Sequence, residues 1–223
     1  MRLLAALLAP TLLGAVGLWG RGNLPLGFWL YLIGGCVLVP WLLLGARPLA
    51  AGAGGLPFGL PSPRRWRRLE ALLALAFGPL FALGYLALRS RLGDYSDYLE
   101  RLAGLGIDLE APLAAGVVFV ALNPLIEEWW WRGQATPRCC AVFGRAGGLA
   151  LVTAAFGLYH VVLLACLFPW WIAVVRAALI SAVSLLWSHL ALKQSGWRSV
   201  YLAHLVADVA MVVLFALVVW PAR

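Results

Sequence analysis

Residues 123–133 read Asn-Pro-Leu-Ile-Glu-Glu-Trp-Trp-Trp-Arg-Gly, which places two adjacent carboxylates and one arginine in an otherwise apolar stretch. An ionised carboxylate at bilayer depth costs roughly 2.5 to 3.5 kcal/mol, so its presence inside a membrane segment indicates a function. On a helix, Glu128 and Arg132 are four positions apart and face each other, whereas Glu127 points about 100° away. We therefore predict that Glu128 has a local partner and that Glu127 faces a polar cavity.

The composition of the whole chain is that of a membrane protein. Of the 223 residues, 64% are hydrophobic and 12% are charged, against about 25% charged in soluble domains. In a membrane protein, a net charge of +8 reflects basic residues in loops that set the orientation in the membrane, and it does not indicate nucleic-acid binding. The four cysteines show no metal-binding or disulfide spacing. We predict an all-α, multi-pass transmembrane helix bundle in a lipid bilayer, with no nucleic-acid partner.

Apolar runs predict seven transmembrane helices, or eight if the acidic amphipathic stretch 93–110 includes a re-entrant piece. The first run favours a retained helix over a cleaved signal peptide. Basic residues in the loops favour an amino terminus on the inside. Tryptophans 129–131 and the aromatic residues Trp29, Tyr31 and Trp41 are interpreted as interfacial. The predicted spans are residues 3–19, 26–44, 69–88, 112–131, 149–167, 172–192 and 200–220.

Polar residues of two further spans extend the pattern set by the glutamates. His204 and Asp208 are four positions apart, so the carboxylate can fix the tautomer of the imidazole or compete with it for a shared proton. Phe156 precedes His160 by the same interval, which lets its ring form a wall beside the imidazole. Three predicted helices thus bring polar groups to one depth in the membrane.

These residues permit two hydrolytic chemistries. In the first, Glu127 is a general base that deprotonates a water held by His160, while His204 and Asp208 hold the oxyanion of an attacked carbonyl. In the second, Glu127, His160 and His204, with or without Asp208, bind a divalent metal such as zinc, whose water is the nucleophile. The HExxH spacing is absent, so the sequence requires no cofactor.

At these positions the sequence resembles the CPBP family, which comprises CAAX proteases and bacteriocin-processing enzymes and is also called the Abi family. The family motifs EExxxR, FxxxH and Hxxx(N/D) correspond here to residues 127–132, 156–160 and 204–208. The resemblance covers about residues 112–220. It implies a catalytic core at 112–220, preceded by a region of transmembrane helices and loops at 1–111.

The resemblance also implies an intramembrane endopeptidase that cuts a membrane-associated, lipidated or tail-signal peptide or protein. Its location would be the inner (plasma) membrane of a bacterium. Glu127 would be the base, His160 would orient the water, and His204 with Asp208 would stabilise the oxyanion. Glu128 and Arg132 would support the first of these helices. The motif allows asparagine or aspartate at position 208. An asparagine amide could donate to an oxyanion, whereas an ionised aspartate would repel it, so Asp208 must be protonated, serve only to orient His204, or bind a metal.

Two other functions compete with this one. A membrane protein of the same fold that binds a peptide without cutting it, such as an immunity protein, would not need the full set of glutamates and histidines. A proton-coupled transporter would use similar acids and histidines, but the chain shows no internal repeat.

Overall fold

The computed structural model describes residues 1–46, 95–108, 112–193 and 197–219. In these ranges all regular structure is helical, which confirms the all-α prediction. Short π-helical segments extend or interrupt several helices, at Val16–Gly20, Leu30–Leu38, Glu128–Ala135 and Phe215–Val219. The predicted span 69–88 lies outside the described residues. The helices are α1 (Arg2–Gly20), α2 (Leu24–Leu44), α3 (Tyr95–Gly104), α4 (Pro112–Glu127), α5 (Thr136–Leu167), α6 (Trp170–Lys193) and α7 (Arg198–Leu214).

Five helical stretches in the described residues are long and apolar enough to cross a membrane. One of them, Ala114–Leu167, has 54 residues. At 1.5 Å per residue it would extend about 81 Å, far more than the ~30 Å of a hydrocarbon core. The chain breaks it at Gly144, whose φ of 71° is open to glycine and costly for other residues. This stretch is therefore long enough for two passes, and the described residues support an integral membrane protein without fixing the total helix count.

The break at Gly144 also corrects the prediction for residues 132–148. The predicted spans end at residue 131 and resume at 149, so the residues between them, including Arg138 and Arg145, were expected to form a short loop. Instead, helical backbone continues through the π-helical segment Glu128–Ala135 and the first arm of α5 (residues 136–143), and the chain reverses direction only at Gly144. Residues 145–167 form the second arm of α5. The Cys140 Sγ lies 3.7 Å from the Arg145 carbonyl oxygen across this reversal. The loop prediction was wrong because these residues retain helical backbone despite their polar side chains.

Helix neighbours follow from pairs of residues that touch across the bundle. The second arm of α5 packs antiparallel to the α4 segment and to α6, and α7 packs antiparallel to α4. Helices α1 and α2 form an antiparallel pair against this group. In α1, the Trp19 indole nitrogen lies 3.0 Å from the Cys166 sulfur of α5, and in α2 the Tyr31 ring stacks on Tyr159 of α5. The N-terminal pair is thus in direct contact with α5, the helix that carries the FxxxH motif.

The expected interfacial aromatics prove to be of two kinds. Trp29 and Trp41 are 41% and 49% exposed on the bundle surface, as expected for an interface. Tyr31, by contrast, is 0% exposed, and the exposures of Trp129, Trp130 and Trp131 are 2%, 0% and 0%. The prediction of an interfacial tryptophan belt at 129–131 was therefore wrong. These rings fill the core between helices because the π-helical segment packs among α2, α5, α6 and α7.

Helix α3 is the amphipathic stretch expected within residues 93–110. Leu99 and Leu102 are buried against the bundle, while Asp97, Glu100 and Arg101 are exposed. Its carboxyl end is tied to the start of α2, because the Leu24 amide donates to the Leu105 carbonyl at 2.7 Å. With 10 residues, α3 is about half the length of a membrane span.

Candidate functional site

The first part of the site lies where α4 passes into the π-helical segment. Arg132 Nη1 donates to Glu128 Oε1 at 2.8 Å, and both side chains are fully buried. The predicted i,i+4 ion pair is therefore present. The other guanidinium nitrogen, Nη2, donates to Ser184 Oγ of α6 at 2.9 Å. The guanidinium also lies 4.7 Å from the centre of the Phe156 ring. Arg132 thus joins three helices, and a lysine could not reproduce this fork of donors.

Glu127 lies on a different side of the helix, as predicted. Its Oε1 accepts a 2.6 Å hydrogen bond from the hydroxyl of Tyr31 in α2. Its Oε2 is 3.7 Å from Nε2 of His204 in α7. Only 2% of Glu127 is exposed, so this carboxyl group is enclosed by protein on the sides that the structure describes. One oxygen is occupied, and the other faces the imidazole.

His204 is held by Glu128 and not by the neighbour that its sequence spacing suggests. Nδ1 of His204 lies 2.7 Å from Glu128 Oε1, whereas its Nε2 is 3.7 Å from Asp208 Oδ1. An ionised carboxylate only accepts hydrogen bonds, so Nδ1 carries a proton. The prediction that Asp208 fixes the tautomer was wrong, because Glu128 reaches the imidazole at hydrogen-bond distance from another helix. Nε2 is left facing both Glu127 and Asp208.

Asp208 has its own partner on α4. Asn123 Nδ2 donates to Asp208 Oδ2 at 3.1 Å, and both residues are buried. This contact links the helical turn just before the EExxxR motif to the last residue of the Hxxx(N/D) motif. It also turns the other carboxyl oxygen towards His204.

His160 joins the cluster through aromatic rings. Its Nδ1 lies 2.9 Å from the Phe156 carbonyl oxygen, an acceptor, so Nδ1 donates and Nε2 is the free nitrogen. The Phe156 ring lies 4.4 Å from the imidazole, which confirms the predicted aromatic wall. The Phe156 ring also contacts the Arg132 guanidinium and the Trp131 ring. His160 is more exposed than Glu127 or His204, so it lies at the more open side of the group.

The side-chain arrangement does not match the metal hypothesis. Within the described ranges, no three or more His, Cys, Asp or Glu side chains are placed together so that they could hold a metal ion. Glu127, His160 and His204 therefore do not fit a zinc ion as they stand.

Two residues that contact this cluster, Tyr31 and Ser184, were not predicted from the sequence. Tyr31 was interpreted as an interfacial aromatic, and Ser184 was not considered. The signal for Ser184 was weak, because serine is common in membrane helices and often bonds its own backbone. The signal for Tyr31 was no stronger, because a tyrosine near a helix end fits an interface equally well.

These features define a class of protein: an integral membrane helix bundle whose buried polar cluster combines two adjacent glutamates, an arginine, two histidines and an aspartate. Residues 109–210 match the family described as type II CAAX prenyl endopeptidase, Rce1-like. This match contains all three motifs and confirms the predicted resemblance to the CAAX protease family. No curated protein and no solved structure gives a significant match to the chain.

Proposed function

We propose that this protein is an intramembrane endopeptidase that hydrolyses a peptide bond in a membrane-associated or lipidated substrate, with Glu127 as the general base. The observation that carries the proposal is the position of Glu127 Oε2, which faces His204 Nε2 across 3.7 Å inside a family match to prenyl endopeptidases. A general base and an oxyanion partner need this proximity, because both act on one tetrahedral centre.

In the proposed reaction, Glu127 takes a proton from water as the water oxygen attacks the peptide carbonyl carbon. His160 accepts the second water hydrogen at Nε2 and so orients the attacking lone pair. The carbonyl oxygen becomes an oxyanion, which accepts a hydrogen bond from protonated Nε2 of His204. The carbon–nitrogen bond then breaks, and Glu127 returns the proton to the departing amine.

Glu128 and Arg132 have a supporting function in this mechanism. Because Nδ1 of His204 is already bonded to Glu128, only Nε2 can donate to the oxyanion. The Arg132 guanidinium balances the charge of Glu128 at 2.8 Å, so that Glu128 remains an acceptor. Asp208, oriented by Asn123, would place negative charge near an imidazolium form of His204 and not on the oxyanion itself.

The proposed substrate class is taken from the matched family, and not from any feature of the buried polar cluster. A prenylated CAAX end is the first candidate, because the matched family is described as a CAAX prenyl endopeptidase. Membrane-anchored peptides without a prenyl group are the comparison substrates. A preference for one set over the other would define the specificity.

The test compares purified wild type, Glu127→Gln and Glu100→Gln, each with and without a strong chelator. Both peptide sets are supplied in lipid vesicles, and released fragments are identified by mass spectrometry. Glu100 is an exposed carboxylate on α3 and serves as the matched control. We expect Glu127→Gln to lower cleavage by about 10²- to 10⁴-fold, the usual contribution of a general base, with Glu100→Gln and the chelated wild type unaffected.

Three outcomes would contradict the proposal in different ways. Cleavage by Glu127→Gln at the wild-type rate would show that another residue is the base. Loss of cleavage in chelated wild type would point to a metal-dependent reaction. No cleavage of any peptide by wild type would favour a binding protein of the same fold.

A further inference from the structure

Tyr31 contacts the proposed base from outside the part of the chain that matches the family. It lies in the π-helical segment of α2, whereas the match covers residues 109–210. Its hydroxyl oxygen is 2.6 Å from Glu127 Oε1 and 3.1 Å from Nε1 of Trp131. Tyr31, Glu127 and Trp131 are all buried. The three groups therefore form a short hydrogen-bonded chain between α2 and the glutamate motif.

The direction of this chain follows from its members. An indole N–H can only donate, so Trp131 donates a hydrogen bond to the Tyr31 hydroxyl oxygen. Tyr31 has a single O–H, and its remaining partner is Glu127 Oε1. The tyrosine must therefore donate to the carboxyl group. A hydrogen bond from a neutral donor to a carboxylate is about twice as strong as one between neutral groups.

The ring of Tyr31 is also held in place by a packing contact. It stacks on Tyr159 of α5, with ring centres 3.5 Å apart and planes inclined by 8°. Tyr159 directly precedes His160, the residue proposed to orient the water. Tyr31 is thus fixed on one side by the helix of the histidine motif and bonded at its tip to the glutamate motif.

We propose that Tyr31 is a positioning residue for Glu127. It holds Oε1 of the carboxyl group, fixes the rotation of the side chain and leaves Oε2, which faces His204, as the oxygen that takes the proton from water. This inference rests on the proposed function of Glu127 as the base. It assigns to the N-terminal helices a contribution to the reaction that the matched segment does not contain.

The direct test is Tyr31→Phe, which removes the hydroxyl and keeps the stacked ring. Tyr159→Phe is the matched control, because it removes a hydroxyl from the other ring of the same stack. We expect Tyr31→Phe to lower kcat by about 10- to 100-fold with KM changed less than about twofold, and Tyr159→Phe to stay within about twofold of wild type in both. Equal kcat values for Tyr31→Phe and wild type, in a preparation where Glu127→Gln is inactive, would overturn the inference and leave the proposed function standing.

A second measurement decides the question without cleavage. Thermal unfolding in detergent is recorded for wild type, Tyr31→Phe, Glu127→Met and the double variant, with Tyr159→Phe in place of Tyr31→Phe as a parallel cycle. Methionine has nearly the length of glutamate but is a poor acceptor. We expect the effects of Tyr31→Phe and Glu127→Met to be non-additive and those of Tyr159→Phe and Glu127→Met to add.

The two measurements separate the possible failures. Additive effects in the Tyr31 cycle would show that the hydrogen bond to Glu127 contributes nothing, and this overturns the inference whatever the activity. Coupling together with wild-type cleavage by Glu127→Gln would show that the proposed function is wrong, and Tyr31 would then be only a structural partner of that carboxyl group.

Discussion

Nδ1 of His204 lies 2.7 Å from Oε1 of Glu128, a residue 76 positions earlier in the chain. The same carboxyl oxygen accepts a hydrogen bond from Arg132. One oxygen thus connects an arginine on its own helix to a histidine on α7. This shared acceptor gives Glu128 a contact that orients His204, and in the proposed mechanism it leaves Glu127 as the base.

Removal of Arg132 should destabilise the protein strongly. In Arg132→Met, the buried carboxylate of Glu128 loses its counter-charge, and breaking a buried pair in this way costs about 3 to 5 kcal/mol. The double variant Glu128→Leu/Arg132→Met removes both charges and should cost less than the sum of the two single changes. Thermal unfolding in detergent measures both effects. Arg138→Met is the control, since Arg138 bonds only partly buried groups of Gln134. An additive double variant would show that the two charges do not interact.

Substitution of Asp208 should separate orientation from charge. Asp208→Asn removes the negative charge but can still accept from Asn123 through its amide oxygen. Asp208→Leu leaves the buried Asn123 amide without an acceptor, at a cost of about 1 to 3 kcal/mol in stability. We expect kcat of Asp208→Asn to remain within about tenfold of wild type and that of Asp208→Leu to fall further. If both variants are equally inactive, the negative charge of Asp208 is itself required.

Gly157 should be sensitive to the smallest possible enlargement. A Cβ at this position would clash with Ser181 Oγ of α6, and that hydroxyl is bonded to the Ala177 carbonyl at 2.7 Å. Gly157→Ala should therefore lower the free energy of unfolding by about 1 to 3 kcal/mol. The added change Ser181→Ala should recover part of this loss.

The control for that prediction is Gly20→Ala, because an added Cβ at Gly20 meets nothing within 4 Å. Its effect on thermal unfolding should be within about 0.5 kcal/mol of zero. Similar losses for Gly157→Ala and Gly20→Ala would mean that close packing of α5 on α6 is not the cause.

Phe156 should matter for both stability and activity. Its buried ring contacts the Arg132 guanidinium and the His160 imidazole at centre distances of 4.7 and 4.4 Å. Phe156→Leu removes the cation–π contact and leaves space in the core, so we expect a loss of about 1 to 3 kcal/mol in stability. We also expect a lower kcat, because His160 loses the wall that orients its ring. Phe143→Leu, at a residue that is 45% exposed, is the control and should have little effect on either quantity.

Contacts within one helix were predictable from spacing alone. The ion pair between Glu128 and Arg132 and the contact between Phe156 and His160 are both i,i+4 pairs, and the structure contains both. The same rule misled us for His204 and Asp208. These two are near each other at 3.7 Å, but a closer acceptor from α4 holds the imidazole.

The burial of aromatic residues was not predictable in this way. Trp129, Trp130, Trp131 and Tyr31 have the composition of an interfacial belt, and yet they are buried. In an apolar chain, hydropathy does not distinguish a face that meets lipid from a face that meets another helix, because both surroundings are apolar.

Apolar runs and short motifs are local features of the chain, so the amino-acid sequence was enough to predict a membrane helix bundle and its similarity to the CAAX protease family. Tertiary structure alone decided that Tyr31 meets Glu127, that Glu128 holds His204 and that Asn123 holds Asp208. Each of these contacts joins two different helices. The register and facing of packed helices depend on side-chain fit along their whole length, and no short motif encodes that fit.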